Sequence, residues 1–281
     1  MAVSAGQPPA RTPLPRDHVE TDLGAVGLVT DRGTRHSRNE DDGWVALLGP
    51  AVAAVVCDGV SSSVDPDAAS AAAVRAAGKV VTAADRDAAP EGTLTLAIAA
   101  AADAVAALAV DLVRAGTGSP PACTLVAIVA RPTSTGAAVT TAWVGDSRAY
   151  WVPAVGPADP LTVDDSWAAE AIAAGAEPAA AYADLRAHVI TRWLGASAGT
   201  VVPHVGTVEV AAPGTLCLCT DGLWNYLEDP TAFADVMRAH ASGAAIDTAR
   251  ALTAFAIGAG GADNVTVAVV RLSPRQRGSA P

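Results

Sequence analysis

Four aspartates of this sequence share one local context, because each lies where a short apolar run begins or ends. Asp58, Asp146 and Asp221 follow runs rich in Val, Leu or Ala, and Asp263 precedes the run 265–270. Loops converge at strand ends, so carboxylates placed there can meet at one edge of a sheet. Four carboxylates in one place raise one another's pKa unless a cation compensates, and oxygen ligands suit hard divalent ions. The set therefore predicts a Mg²⁺ or Mn²⁺ site.

A site of this kind supports hydrolysis at phosphorus, because two ions about 3.5–4 Å apart can share a water and lower its pKa. The glycines that follow Asp58 and Asp221 allow a main-chain carbonyl to approach an ion closely. Each aspartate alone has a simpler explanation, since Asp-Gly is a common hairpin turn and Asp146 could cap a turn. The prediction of a metal site therefore depends on the whole set and its order.

The composition excludes some classes of partner. A formal net charge of −11 argues against a nucleic-acid or anionic-membrane surface, because both need a basic patch. Apolar residues make up 51% of the chain but aromatics only 4%, so the core must be built from small aliphatic side chains. The four cysteines lie in apolar runs without the spacing of a zinc site, which predicts free, buried thiols in a reducing compartment. Neither a signal peptide nor a membrane-spanning run is recognisable, so we expect a cytoplasmic protein.

The order of predicted elements indicates the fold class. Runs rich in Val or Ile predict strands, and Ala-rich segments predict helices. The predicted strands are residues 25–30, 44–48, 52–57, 124–129, 138–144, 149–152, 201–210, 216–220 and 265–272, and the predicted helices are residues 67–83, 93–114, 167–173, 231–239 and 244–257. Two consecutive long helices interrupt the strands, which does not fit βαβ alternation and favours an α+β sandwich of two antiparallel sheets with helices outside. Residues 1–20 are expected to be a disordered tail, 21–272 one domain and 273–281 a second tail.

Six segments, taken in order, resemble the motifs of the PPM-type, or type 2C, metal-dependent serine/threonine protein phosphatases. They are residues 38–42 (Arg-Asn-Glu-Asp-Asp), 56–59 (Val-Cys-Asp-Gly), 143–148 (Trp-Val-Gly-Asp-Ser-Arg), 190–195 (Ile-Thr-Arg-Trp-Leu-Gly), 219–224 (Cys-Thr-Asp-Gly-Leu-Trp) and 261–266 (Gly-Ala-Asp-Asn-Val-Thr). Six ordered matches are a far more specific signal than any one motif. The resemblance implies a four-layer α-β-β-α sandwich, with two antiparallel sheets face to face and helices on the outer faces.

The resemblance also implies which residues hold the ions. Asp58 would bridge two ions, Mn²⁺ or Mg²⁺, with the carbonyl of Gly59 on one of them. Asp221 and Asp263 would complete the pair, so that these three aspartates are the catalytic residues through metal-activated water.

Three further carboxylates receive supporting roles from the same resemblance. Asp146 would help to hold a third, weaker ion, while Glu40 and Asp41 would act mostly through metal-bound waters. A hydroxide bridging the two ions would attack phosphoserine or phosphothreonine of a protein substrate in line, without a covalent intermediate. A phosphatase of this kind is expected to counteract a serine/threonine kinase.

The sequence departs from the family pattern in the segment that grips the phosphate. Family members usually carry an arginine four residues before Glu40, where this chain has His36. Because arginine is preferred for bidentate phosphate binding, either Arg35 or a protonated His36 would bind the phosphate here. The usual glycine pair is replaced by serines at 61–63, and Asp165 stands where the family has a histidine.

Two alternatives to an active phosphatase stay open. The departures suit a catalytically weak, phosphatase-like module that binds a phosphoprotein partner, but every expected direct ligand is an intact carboxylate. A plain β-sandwich interaction domain would require the ordered motifs to be chance. The near absence of Lys beside abundant Ala and Arg points to a bacterial, GC-rich genome.

Overall fold

The computed structural model describes residues 17–109, 118–241 and 243–272. Strand β1 (His18–Asp22) opens the fold and pairs with β2 (Val26–Asp31), so residues 18–20, predicted to be tail, belong to a sheet. Strand β1 is mostly polar and exposed, which left no apolar pattern to recognise. The rest of the predicted N-terminal tail, the predicted C-terminal tail and the end of the predicted helix 93–114 lie outside the described residues.

Two antiparallel sheets form the middle of the molecule. Their remaining strands, with one short extra pair, are β3 (Asp42–Leu48), β4 (Ala51–Cys57), β5 (Ala122–Cys123), β6 (Leu125–Pro132), β7 (Gly136–Val144), β8 (Arg148–Pro153), β9 (Asp159–Pro160), β10 (Leu194–Gly195), β11 (His204–Ala211), β12 (Gly214–Cys219) and β13 (Val265–Leu272). The six-stranded sheet has the order β1-β2-β13-β12-β8-β9, and the five-stranded sheet has the order β11-β7-β6-β4-β3. Every predicted strand is present, while β1 and the two-residue strands β5, β9 and β10 were missed.

Helices cover both outer faces of this sandwich. They are α1 (Pro66–Ala83), α2 (Pro90–Ala107), α3 (Trp167–Ala173), α4 (Pro178–Tyr182), α5 (Asp221–Trp224), α6 (Pro230–Ala239) and α7 (Ala245–Gly258). Helices α1 and α2 pack on the five-stranded sheet, and α7 packs on β2 and β13 of the other sheet. The predicted four-layer α-β-β-α arrangement is confirmed. Among the described residues, no helix is both long and apolar enough to cross a membrane.

Three buried apolar layers hold the four structural layers together. The layer between the two sheets contains many small residues, among them Ala54, Ala130 and Ala268. Small side chains let the layers approach closely: a Cβ atom added to Gly27 of β2 would overlap the backbone of Ile246 in α7. All four cysteines are free and buried, as predicted.

The strand registers bring the candidate ligands to one end of each sheet. At that end the paired residues are Arg148 with Cys219, Asp31 with Val265, Asp42 with Cys57, and Leu125 with Val144. The loops after β2, β4, β7 and β12, and the loop before β13, therefore leave the sandwich together.

Candidate metal centre

The loop between β2 and β3 carries two predicted ligands and is fixed by Asn264. The Asn264 Oδ1 atom accepts a hydrogen bond from the backbone N–H of Glu40 at 2.8 Å. Its Nδ2 atom donates to the carbonyl oxygens of Arg32 and Arg38 at 2.7 and 3.1 Å. Asn264 is buried, so these bonds are shielded from competing water. The residue next to Asp263 thus holds Glu40 against the start of β13.

Asp41 is tied to the loop that carries Asp221. The hydroxyl of Thr220 donates to Asp41 Oδ2 at 2.8 Å, and the same hydroxyl accepts a bond from the backbone N–H of Thr266 at 3.0 Å. Thr220 ends the loop after β12, and Asp221 is the next residue. A single buried threonine therefore joins carboxylates that are far apart in sequence.

Asp58 and Gly59 follow β4 and are held from two sides. The backbone of Asp58 exchanges hydrogen bonds with Thr124, donating to its Oγ1 at 3.3 Å and accepting from its N–H at 2.8 Å. The N–H of Gly59 donates to the carbonyl of Glu40 at 3.1 Å. A Cβ atom at Gly59 would lie 2.6 Å from that carbonyl and 2.5 Å from the carbonyl of Pro66. The position requires glycine because three backbone segments meet there.

Asp221 begins helix α5 rather than a hairpin turn. A Cβ atom on Gly222 would overlap the carbonyl oxygen of Asn264, so this glycine permits α5 to pack against the start of β13. Asn225, one helical turn later, donates to Asp221 Oδ2 at 3.2 Å. The hairpin explanation of this Asp-Gly pair is therefore wrong, since β12 continues directly into a helix.

Asp146 lies in the turn between β7 and β8, where Trp224 and Arg148 support it. The indole Nε1 of Trp224 donates to the carbonyl of Asp146 at 3.0 Å. The guanidinium of Arg148 lies 3.6 Å from the centre of the Trp224 ring and forms a two-pronged pair with Asp164 at 2.9 and 2.7 Å. These contacts link the Asp146 turn to helix α5.

The two candidates for phosphate binding occupy different environments. His36 Nε2 lies 3.1 Å from Asp263 Oδ1, and its Nδ1 lies 4.0 Å from Glu40 Oε2. The side chain of Arg35 is exposed. The structure therefore brings His36, and not Arg35, against the predicted metal ligands.

The serines at 61–63 contribute hydrogen bonds that a glycine pair could not. The hydroxyl of Ser61 donates to Glu40 Oε2 at 2.6 Å, and Ser63 Oγ accepts the backbone N–H of Ala122 at 3.3 Å. Arg38 also contacts Glu40, at 3.4 Å, and Asp67 at 3.0 Å. The departure from the family pattern thus adds a hydroxyl donor to one predicted ligand.

Five aspartates form what we call the acidic cluster: Asp41, Asp58, Asp146, Asp221 and Asp263. Burial is the largest cause of the raised pKa of Asp58, and the charges of the other four members raise it further. Burial likewise raises the pKa of Asp41, although hydrogen bonds from threonine hydroxyls lower it in part. Burial, followed by the charge of Asp221, raises the pKa of Asp146 to about 8. Burial and the charge of Asp263 raise the pKa of Asp221 to about 6, against a hydrogen bond with Asp58 that lowers it.

The acidic cluster fits a hard divalent cation in charge and in donor chemistry. Its donors are all carboxylate oxygens, and the mutually raised pKa values show negative charge that a divalent ion would stabilise. Across residues 17–109, 118–241 and 243–272, no three His, Cys, Asp or Glu side chains converge closely enough to be a preformed ligand set. The predicted ligands are thus brought to one end of the sandwich, while their individual bonds to an ion stay a prediction.

Sequence reasoning missed the residues that position these ligands. Asn264 and Thr220 lie beside predicted ligands inside the quoted motifs, so their place in the sequence carried a usable signal. Thr124 lies in none of the motifs, and only the tertiary contact with Asp58 reveals it.

Comparisons with known proteins agree with this geometry. The family described as protein phosphatase 2C matches residues 32–257. A search of curated proteins gives no match. Among solved structures, the chain is similar to a serine/threonine phosphatase of S. agalactiae, with 25% identity and a TM-score of 0.74 over 88% of this chain and 98% of that one.

Two other solved structures have the same fold. The PPM Ser-Thr phosphatase MsPP from Mycobacterium smegmatis, in complex with cacodylate, is 26% identical with a TM-score of 0.68 over 89% of this chain and 99% of that one. The catalytic domain of serine threonine protein phosphatase PstP, in complex with two manganese ions, is 23% identical with a TM-score of 0.67 over 88% and 97%. Because the family match spans most of the chain and its fold carries the acidic cluster, this chain belongs to the protein phosphatase 2C family of metal-dependent serine/threonine phosphatases.

Proposed function

We propose that this protein removes phosphate from phosphoserine and phosphothreonine of protein substrates with the help of two divalent cations, Mn²⁺ or Mg²⁺, at the acidic cluster. When bound, the cations would supply a water of lowered pKa and offset negative charge on the phosphate. The observation that carries the proposal is that carboxylates from five chain segments lie at one end of the sandwich, where burial and neighbouring carboxylate charges raise the pKa values of Asp41, Asp58, Asp146 and Asp221. The manganese complex of the similar PstP domain supports the choice of metal.

The ligands divide between the two sheets. Asp58 and the carbonyl of Gly59 follow a strand of the five-stranded sheet, whereas Asp221 and Asp263 flank strands of the six-stranded sheet. We assign the ion pair to these residues, because the loops that carry Asp58 and Asp221 leave the two sheets at the same end of the sandwich and the charge of Asp221 raises the pKa of Asp58.

Three carboxylates at the edge of this group have supporting roles in the proposal. Asp146 would serve a third ion, since the charge of Asp221 already acts on it. Glu40 and Asp41 would orient hydration waters, because both are buried and each side chain is already bonded to a hydroxyl donor.

His36 is the proposed phosphate-binding residue. Its ring contacts Asp263, whose side chain is 40% exposed, so the cluster opens to solvent beside this histidine. A protonated imidazole at this mouth can donate a hydrogen bond to an incoming phosphate. Arg38 instead forms ion pairs with Glu40 and with Asp67 at the start of α1. The natural substrates would be phosphoproteins produced by an opposing serine/threonine kinase.

The proposal is tested by hydrolysis of p-nitrophenyl phosphate and of a phosphothreonine peptide with Mn²⁺, with Mg²⁺ and with chelator. Asp58→Asn and Asp221→Asn should each lower metal-dependent turnover more than about 100-fold. Both variants should fold at least as stably as the metal-free wild type, because each removes a repelling charge. Asp235→Asn is the matched control, since that carboxylate is exposed and pairs with Arg238 of the same helix, α6.

The outcomes separate the alternatives left open by the sequence. Metal-dependent turnover that both cluster variants abolish supports the phosphatase. Metal binding by calorimetry without turnover identifies a phosphoprotein-binding module instead. Absence of both metal uptake and turnover contradicts the proposed site as well as the proposed reaction.

A further inference from the structure

Asp165 is a buried carboxylate outside the acidic cluster, at the position where the family pattern has a histidine. It is 6% exposed. Its Oδ2 accepts a hydrogen bond from the backbone N–H of Gly145 at 2.9 Å. Its Oδ1 lies 2.8 Å from Nε2 of His204 and 3.3 Å from Nη1 of Arg192. A buried carboxylate is stable only with such partners, so this arrangement satisfies the charge in place.

The partner of Asp165 is the residue immediately before Asp146. Gly145 and Asp165 are bonded in both directions, because the N–H of Asp165 also donates to the carbonyl of Gly145 at 3.0 Å. Gly145 has a φ of +101°, and a Cβ atom there would lie 2.6 Å from Cβ of Thr124. No other residue type fits this position without displacing Thr124, so the turn that carries Asp146 has little freedom to shift.

The same turn is connected to Asp58. The hydroxyls of Thr124 and Ser147 lie 2.7 Å apart, and the Thr124 hydroxyl also accepts the N–H of Asp58. A change in the backbone position of Gly145 would therefore move Asp146 and, through Thr124, Asp58.

His204 is held in place by an aromatic ring and by the carboxylate of Asp165. It is the first residue of β11 and stacks on Trp143, with ring centroids 4.9 Å apart and planes inclined by 21°. Arg192 Nη1 lies 2.7 Å from His204 Nε2, and Arg192 Nη2 donates to the carbonyl of Val202. The family pattern has a histidine where this chain has Asp165. In this chain an imidazole is supplied by His204, 39 residues later, and it pairs with the carboxylate of Asp165.

We infer that Asp165, Arg192 and His204 form a clamp that positions Asp146, and that His204 and Asp165 together replace the single histidine of the family pattern. The inference rests on the proposed function for the role of Asp146 as an ion ligand. The clamp residues are positioning residues, because the contacts described above connect them to the site through the Gly145 turn and not directly.

The test uses the full chain with Asp165→Asn, Asp165→His and the exchanged pair Asp165→His/His204→Asp. Calorimetric titration with Mn²⁺ should show roughly 10- to 100-fold weaker binding in both single variants, the loss typical of residues that orient a ligand. The kcat for p-nitrophenyl phosphate should also fall in both single variants, while KM stays within about twofold of the wild-type value. The exchanged pair should recover at least half of the loss on a logarithmic scale, because it restores a carboxylate–imidazole pair between positions 165 and 204.

Asp184→Asn is the matched control. That carboxylate also accepts bonds from an arginine side chain and a backbone N–H, but both belong to Arg186, two residues along the chain, and its side chain is partly exposed. Its Mn²⁺ affinity should equal that of the wild type. His204→Gln covers the case in which Asp165 variants fail to fold, because the His204 side chain is 42% exposed. It should weaken Mn²⁺ binding in the same direction.

A separate readout needs no metal. In chelator, amide hydrogen exchange at Gly145 should speed up in Asp165→Asn and in His204→Gln, but not in Asp184→Asn. Unchanged exchange, unchanged Mn²⁺ affinity, or an exchanged pair no better than the single variants each overturns the clamp. A wild type without Mn²⁺-dependent turnover would instead count against the proposed function, and the exchange measurement would still judge the clamp.

Discussion

The acidic cluster and the segment 166–189 are held in place in opposite ways. The cluster is fixed by long-range hydrogen bonds, such as those from Asn264 to the loop before β3. The segment 166–189 contains α3 and α4 and packs mainly on itself, around Ala168 and Ala181. Its Leu185 is fully exposed.

We expect this difference to separate the chemistry of the protein from its recognition of substrates. Contacts between distant segments cannot change independently, so the ligand geometry is set by the whole sandwich. A locally folded, exposed segment beside the site can vary without disturbing the sandwich, which is the pattern expected of substrate-selecting loops.

The largest effect expected from this contrast is a pH dependence of the metal-free protein. Asp146 has a pKa of about 8 in the folded chain against an ordinary value of 3.8, so between these pH values the native state keeps a proton that the unfolded chain has released. Stability should therefore fall as pH rises, by on the order of 4 kcal/mol from about pH 5 to about pH 8 at roughly 1.4 kcal/mol per pKa unit. Urea denaturation in chelator measures this fall, and Mn²⁺ should reverse it. Asp146→Asn should make the fall with pH smaller, and the remaining fall would come from the raised pKa values of Asp41, Asp58 and Asp221. Stability that rises with pH in chelator would contradict the raised pKa of Asp146.

The next largest effect is expected at Asn264. Asn264→Ala removes the three hydrogen bonds of a buried side chain and leaves their partners unsatisfied, which should lower the free energy of unfolding by roughly 2–4 kcal/mol. Asn225→Ala removes one exposed bond and should cost less than about 1 kcal/mol. Equal losses in the two variants would show that the loop before β3 is not fixed by Asn264.

A matched pair of tryptophans sharpens the comparison. Each carries an arginine over its ring, Arg148 over Trp224 at 3.6 Å and Arg186 over Trp167 at 4.2 Å. Trp224→Phe should cost about 2 kcal/mol and weaken Mn²⁺ binding, because it removes the bond to the carbonyl of Asp146. Trp167→Phe should leave Mn²⁺ affinity unchanged. Thermal unfolding and calorimetry check both, and equal effects on metal binding would break the distinction between the two regions.

The smallest effect is expected on the exposed surface of the segment 166–189. Leu185→Ala should change the free energy of unfolding by less than about 0.5 kcal/mol, since the side chain is fully exposed. The kcat for p-nitrophenyl phosphate should also be unchanged. A marked loss of either would show that this segment supports the acidic cluster.

The sequence was sufficient for the layers and for the location of the candidate site. Two consecutive long helices between groups of strands predicted the sandwich, and aspartates at strand ends predicted the acidic cluster. Both predictions rest on local patterns, namely apolar runs and their boundaries.

What the sequence could not predict depends on contacts between distant residues. The contact of His36 with Asp263, which supports His36 over Arg35 in the proposed phosphate-binding role, joins residues more than 200 positions apart. The pairing of Asp165 with His204 spans 39 residues and has no motif of its own. The helix that begins at Asp221 resembled a hairpin turn because Asp-Gly suits both, and only its packing against Asn264 decides between them.

The small residues between the two sheets determine the spacing of the sheets at the end of the molecule that carries the acidic cluster. Asp58 follows a strand of one sheet and Asp221 follows a strand of the other. The thickness of the layer that contains Ala54 and Ala268 therefore sets the distance between the two carboxylates. A bulkier side chain at Ala54 would increase the separation of the sheets, and so the distance between the two carboxylates, without contacting either of them. The distance between carboxylates at the acidic cluster thus depends on alanines that are buried inside the sandwich.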